Sequence, residues 1–153
     1  VAGIKWAAER WEDKTNQAAW RAECVSDLPG RFFRMETIAE LIQEVVTALC
    51  QHYGDRLDRI MLYGSYARGD HHEESDVDFL VVLNEDTVAN SREVRETTDA
   101  ICRIMERFGY RMISVFAVTR VDYETSTRFF MRNVRRDAVF LYERRPEFVL
   151  ELR

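Results

Sequence analysis

Two aspartates, Asp76 and Asp78, stand either side of Val77 at the head of an apolar run that reaches Leu83. Side chains alternate along a strand, so residues two apart share a face. The two carboxylates therefore project together, while Val77 and Phe79 point into the core. Carboxylates so placed repel one another unless something positive lies between them, and a divalent cation is the usual occupant. Upstream, the apolar run from Ile60 to Tyr63 ends in Gly64-Ser65, and a short helical turn over Tyr66 to Arg68 is stopped by Gly69. A strand-to-helix turn built on glycine leaves backbone N–H groups bare, which is where a phosphate settles. A phosphate cradle facing a metal-binding acidic pair is equipment for moving a nucleotide. Two other phosphate or metal motifs fail on these residues. Gly64 and Gly69 have the spacing of a P-loop, but Asp70 stands where that loop needs lysine. Asp76-Val77-Asp78 lacks the twelve-residue ligand pattern and turn glycine of an EF-hand.

The two blocks Gly64-Ser65-Tyr66-Ala67-Arg68-Gly69 and Ser75-Asp76-Val77-Asp78 resemble the GS-x-A-R-G and SD-x-D signature of the minimal nucleotidyltransferases. That group belongs to the DNA polymerase beta-like nucleotidyltransferase fold, and the resemblance runs from about Met35 to Tyr142. It implies Mg²⁺ held by Asp76 and Asp78 as catalytic metal ligands, and a nucleoside triphosphate bound at Gly64 and Ser65. Arg68 either neutralises phosphate charge or holds a surface salt bridge; the residues leave both open. Many members carry a third carboxylate on the strand after the second helix, which completes a second metal site and helps deprotonate the attacking hydroxyl. Here that strand reads Met112-Ile113-Ser114-Val115-Phe116-Ala117-Val118, with Ser114 in the equivalent place and no acid at all. Binding of Mg²⁺ and triphosphate is therefore better supported than efficient turnover.

The elements that must hold these residues are legible from periodicity. Ile38, Leu41, Ile42, Val45, Val46 and Leu49 recur at helical spacing, which predicts a helix from Glu36 to about Gly54. Strands are expected over Leu57 to Tyr63, Asp76 to Leu83 and Met112 to Val118. Asn90 with Glu93 reads as a capping box opening a helix whose apolar face is Val94, Ile101, Met105 and Phe108 and which Gly109 ends. A further helix is expected over Val121 to Arg136, then a short last strand over Ala138 to Tyr142. This order predicts an α/β (α+β) fold with a small mixed sheet and helices mainly on one face, the other face leaving room for substrate near Asp76 and Asp78.

The chain has 153 residues, 46% of them hydrophobic, which suits one domain with a real core. A net charge of −5 argues against a dedicated nucleic-acid binder, which would be basic overall. Cys24, Cys50 and Cys102 lack metal-ligand spacing and read as reduced, buried thiols of a cytoplasmic protein. No apolar stretch approaches membrane-spanning length. His71-His72 reads as solvated loop and His52 as structural. Arg128, Arg132, Arg135 and Arg136 interleave with Phe129 and Phe130, either as a grip for a base, RNA or an acidic partner or as a helix with a solvated arginine face. Residues 1–34 stand apart as an expected helical extension of the 35–153 nucleotidyltransferase domain: they hold all three tryptophans, Trp6, Trp11 and Trp20, and both lysines, Lys5 and Lys14.

Three functions compete on these residues. The first is an enzyme that moves AMP, or another nucleotide, from a nucleoside triphosphate to a hydroxyl. The resemblance implies, at this size, the antitoxin half of a HEPN/minimal nucleotidyltransferase pair, which adenylylates a tyrosine of its HEPN toxin partner. The second is a degenerate module that neutralises a partner by contact. The third is a transferase acting on small molecules such as antibiotics, although such enzymes bring an acceptor-binding domain. Tryptophan favours places where partners meet, so residues 1–34 are expected to dock on a partner or a second copy, making an oligomer. A chain beginning at Met35 should bind Mg–ATP like the full chain but associate more weakly. Loss of nucleotide binding on truncation, with circular dichroism unchanged, would instead place the segment in the site.

Overall fold

A computed structural model of the chain describes residues 37–109 and 111–144; the expected extension over residues 1–34 and Cys24 lie outside them. Helix α1 spans Ile38–Tyr53 and opens on a capping box, the Thr37 hydroxyl accepting from the Glu40 N–H while the Glu40 carboxylate accepts from the Thr37 N–H. A 3-10 turn, Gly54–Arg56, leads into β1, Leu57–Tyr63. Helix α2, Gly64–Arg68, follows directly, and β2, Val77–Leu83, returns alongside. Then come α3, Asn90–Arg107, β3, Ile113–Thr119, α4, Arg120–Thr125, α5, Phe129–Asp137, and β4, Val139–Glu143. The sheet order is β3-β2-β1-β4, with β2 and β3 parallel and the other pairs antiparallel. This is the mixed α/β sheet the sequence predicts.

Alternation divides the sheet's side chains between two cores. Ile60, Leu62, Val77, Phe79, Val81 and Ala117 meet the apolar stripe of α1 with Ile101 and Ile104 of α3. Met61, Leu80, Val82 and Val118 point the other way and meet Tyr123 of α4 with Met131 and Val134 of α5. The two long helices thus share one face, as expected. The opposite face is not left bare, because α4 and α5 roof part of it, and Phe130 at the start of α5 reaches Tyr63 beside Asp78. Val77 and Phe79 are fully buried, as their alternation requires. Full burial of such side chains contributes about 1.5–3 kcal/mol each.

Three local expectations give way to tertiary contacts. Ala89, with no side-chain hydrogen bond, caps α3, so Asn90 and Glu93 form no capping box. Asn90 instead pairs with the outer edge of β3: its Nδ2 donates to the Ala117 carbonyl and its Oδ1 accepts from the Ala117 N–H, both at 2.8 Å. Glu93 is 1% exposed and receives Arg56 Nη2 at 2.9 Å and Arg92 Nη2 at 3.1 Å. Arg56 also forks onto Glu85. With Asn90 and Glu93 drawn inward, the buried face of α3 becomes Glu93, Thr97, Ile101 and Ile104, and Val94 lies 48% exposed. The single helix expected over Val121 to Arg136 is two, broken at Ser126 and Arg128 in extended conformations. Hydroxyl residues compete with the helical backbone and favour such breaks. The Arg135 guanidinium closes this one, donating to the Tyr123 and Ser126 carbonyls at 2.6 Å each. Finally, Cys102 is exposed and Cys50 half-buried rather than both being core thiols. No described helix is long and apolar enough to cross a membrane.

Burial of Glu93 makes Arg56 its chief compensation, since Arg92 is half exposed. Removing one partner of a buried pair is far more costly than replacing both. Arg56→Ala should lower stability by about 2–4 kcal/mol in urea denaturation, while the double change Arg56→Met with Glu93→Leu should recover most of it. Equal losses in single and double variants would show that the pair is not what holds α3 to the turn before β1.

Candidate active site

The antiparallel register of β1 and β2 sets Tyr63 opposite Asp78. The chain therefore leaves β1 directly beside that carboxylate, and the next residue is Gly64. Gly64 has φ +74°, and a Cβ placed on it would lie 2.3 Å from Asp78 Oδ2. Only glycine fits there, on two independent grounds: the left-handed backbone and the missing side chain. The Gly64-Ser65 turn and the Asp78 carboxylate are thus in direct contact, although Tyr66 to Val77 separate them in sequence. Helix α2 ends at Gly69, whose φ is +79° and whose N–H donates to the Ser65 carbonyl at 2.9 Å.

Strand β2 begins at Val77, so Asp76 sits exposed just before it and Asp78 half-buried within it. Burial pushes the Asp78 carboxyl above the ordinary carboxylate value, and the charge of Asp76 pushes the same way. A hydrogen bond from Ser114 and the charge of Arg68 pull it back. A half-buried carboxylate with a second carboxylate beside it is a donor set suited to a cation. Hard oxygen ligands, few in number and open on one side, fit Mg²⁺, which takes its remaining ligands from phosphate and water. Among the described residues, one other group could approach a metal: His52, Glu93 and Glu96. There Arg56 and Arg92 already pair with Glu93, and His52, exposed, has Nε2 3.8 Å from Glu96.

Ser114 is the parallel-register partner of Asp78 on β3. The position that would face the aspartate pair thus carries a hydroxyl, which neither accepts a proton near neutral pH nor binds Mg²⁺ well. Tyr63 joins this group, a residue the sequence reading passed over as part of an apolar strand. Burial and the Asp78 charge push its phenol up, and hydrogen bonding to Ser114 pulls it back. Arg68, exposed, holds Asp70 through Nε at 3.0 Å, and its charge is felt at Asp78.

The loop between the two blocks is held rather than loose. His71 stacks on Tyr66 with ring centroids 4.2 Å apart, where sequence suggested a solvated residue; His72 is exposed. Arg111 donates to the Tyr66 hydroxyl at 2.7 Å and to the Glu73 carbonyl at 2.9 Å. Ser75, buried, accepts from the His72 N–H at 2.9 Å, and its own N–H donates to the His72 carbonyl at 3.0 Å. These bonds fix the approach of Asp76, and no spacing in the sequence announces them.

Two substitutions test the geometry. Gly64→Ala should cost at least about 1–2 kcal/mol from its left-handed backbone, displace Asp78, and abolish Mg–ATP binding. Gly69→Ala, with nothing within 4 Å of its added Cβ, should show the backbone cost alone and still bind. Asp76→Asn with Asp78→Asn should abolish Mg²⁺-dependent nucleotide binding without lowering the stability of the metal-free protein, because it removes a repulsion. Unchanged Mg–ATP affinity by calorimetry in that double variant would mean the metal binds elsewhere.

Two proteins of Methanocaldococcus jannaschii that carry the name protein adenylyltransferase are 50% and 56% identical over 48 and 41 residues. Those alignments cover 31% and 27% of this chain and 48% and 41% of the relatives, so the chain spans about half the length of the curated relatives it matches or less. A solved Sulfolobus solfataricus protein described as a nucleotidyltransferase aligns over 72% of this chain and 85% of its own, at 22% identity and TM-score 0.47. A toxin-antitoxin structure with AMP-PNP aligns over 67% and 73%, at 20% identity and TM-score 0.47. Residues 42–141, from the second turn of α1 into β4, match the family described as nucleotidyltransferase domain, and the chain belongs to that family.

Proposed function

We propose that this chain transfers AMP from ATP to a hydroxyl of a partner protein. The observation that carries the reading is the contact between the Gly64 turn and Asp78; in this reading the turn seats phosphate and the carboxylate holds metal. The two relatives named as protein adenylyltransferases support AMP as the group moved and a protein as its acceptor. In this reading Gly64 and Ser65 bind the β- and γ-phosphates through backbone and hydroxyl donors. Asp76 and Asp78 would hold Mg²⁺, whose charge offsets what develops on the phosphate oxygens as pyrophosphate leaves. Asp78 stays half-dry, which strengthens its hold on a cation, and Arg111 with Tyr66 keeps Asp76 in place behind it. The partner class is the one the family resemblance implies, a HEPN-type toxin silenced by modification in the cytoplasm.

A second reading draws on Ser114. With a hydroxyl paired opposite Asp78, the acceptor's proton has no carboxylate on β3 to receive it. Tyr63 beside it is a poor replacement, because burial and the Asp78 charge push its phenol up. On this reading the chain binds the partner and nucleotide and neutralises by contact.

Labelled ATP separates the two. Incubated with Mg²⁺ and the partner, the chain should pass label to a partner tyrosine, and Asp76→Asn with Asp78→Asn should stop it. A stable complex with no label transferred would overturn the first reading in favour of the second. Ser114→Asp should raise turnover, by as much as about 10²–10⁴ if the new carboxylate takes the proton. Brisk wild-type turnover with no gain on this substitution would mean another group is the base.

A further inference from the structure

The sheet face that carries Asp78 also carries a row of aromatic rings that begins at Tyr63 and leads away from the site. Tyr63, paired with Asp78, meets Phe130 of α5 edge to face at 5.4 Å between centroids. Phe130 meets Phe116 of β3 in the same manner at 5.7 Å. Phe116 lies two residues beyond Ser114, hence on the same face and about 6.6 Å further along the strand. Phe116 is 37% and Phe130 41% exposed, although both are flanked by buried core. Beyond them opens a cleft of about 180 Å³ between β3, the start of α3, α4 and the start of α5, lined by Phe116, Phe130 and Met131 with Asp122, Ser126 and Arg128 among its polar groups. That volume is below the roughly 300–1,000 Å³ of a site for a drug-sized molecule and suits one ring system.

We propose that this cleft receives the nucleobase of the nucleoside triphosphate. The inference rests on the nucleotide reading above and adds to it the place and chemistry of the base site. A base offers a flat π face to Phe116 or Phe130, and the rings are already exposed toward the cleft, so no side chain need be moved to admit it. On this proposal one extended ligand would lay its phosphates over Gly64 and Asp78, pass its ribose by Ser114, two residues before Phe116 on β3, and seat its base between β3 and α5. Asn90 lines the cleft but cannot read the base, because both ends of its amide are engaged with the Ala117 backbone. Recognition is therefore mainly stacking, which tolerates any base. The aromatics noted in the sequence beside the arginines of α5 divide accordingly. Phe130 faces the site and Phe129, 76% exposed, does not.

Calorimetry of the full chain with Mg–ATP and with Mg–tripolyphosphate, which lacks base and ribose, tests this. Phe130→Ala, Phe116→Ala and Phe116→Leu, the last keeping apolar packing without a π face, should each weaken ATP by roughly five- to 150-fold and leave tripolyphosphate unchanged. Phe130→Trp should retain ATP binding. Unchanged ATP affinity in the alanine and leucine variants would overturn the proposal, and so would an equal loss for both ligands, which would mark a packing role. Normal ATP binding with reduced label transfer to the partner would overturn it too, assigning the cleft to the acceptor. Failure of the underlying reading has a separate signature: Asp78→Asn leaving tripolyphosphate affinity untouched.

Discussion

The architecture of the site depends on one close approach, the backbone of Gly64 against the Asp78 carboxylate. Antiparallel pairing places Tyr63 opposite Asp78, so the turn that follows β1 has nowhere to go but past that side chain. A strand pairing shifted by one residue would turn Asp78 to the opposite face and into the α1 core. Leu62 paired with Phe79 and Met61 with Leu80, each buried on its own face, make such a slip costly. The core therefore sets the position of the chemistry: the same alternation that buries Phe79 delivers Asp78 to the turn.

The charges at the site are arranged against the stability of the empty protein. Asp78 is partly dry and faces Asp76, and both effects favour its neutral form. What compensates is short-range: the Ser114 hydroxyl, the charge of Arg68, and a loop pinned by Arg111, Tyr66 and His71. At the far end of the sheet the opposite policy holds. Glu93 and Glu85 are matched by Arg56, and Asp58, Glu124 and Glu143 surround Arg59. Acids there lie against guanidinium groups, whereas Asp78 lies beside a second carboxylate.

Ser114 shows how far one position can shift the meaning of a site. Its backbone register with Asp78 is that of a partner residue, yet its side chain stabilises the carboxylate rather than adding to it. The family membership of the chain and the hydroxyl at this position are both facts of the molecule, and together they separate nucleotide binding from proton removal as two questions.

Much of the fold was legible in the sequence because its signals are local. The α1 stripe, the strands and the two glycine-and-acid blocks each lie within one element or one turn, where period and residue type suffice. The nearness of Asp76 to Asp78, the burial of Val77 and Phe79, and the hydroxyl at Ser114 all follow from counting along a strand. Tertiary structure alone decided the rest. Glu93 looks like a helix-capping acid until Arg56, 37 residues earlier, draws it into the interior. Asn90 looks like a cap until the open edge of β3 offers it a backbone to pair with. The break between α4 and α5 depends on Arg135 reaching back to carbonyls it cannot meet in a continuous helix. In each case a polar side chain chose between a weak local partner and a stronger distant one, and the distant partner becomes available only when the sheet is assembled.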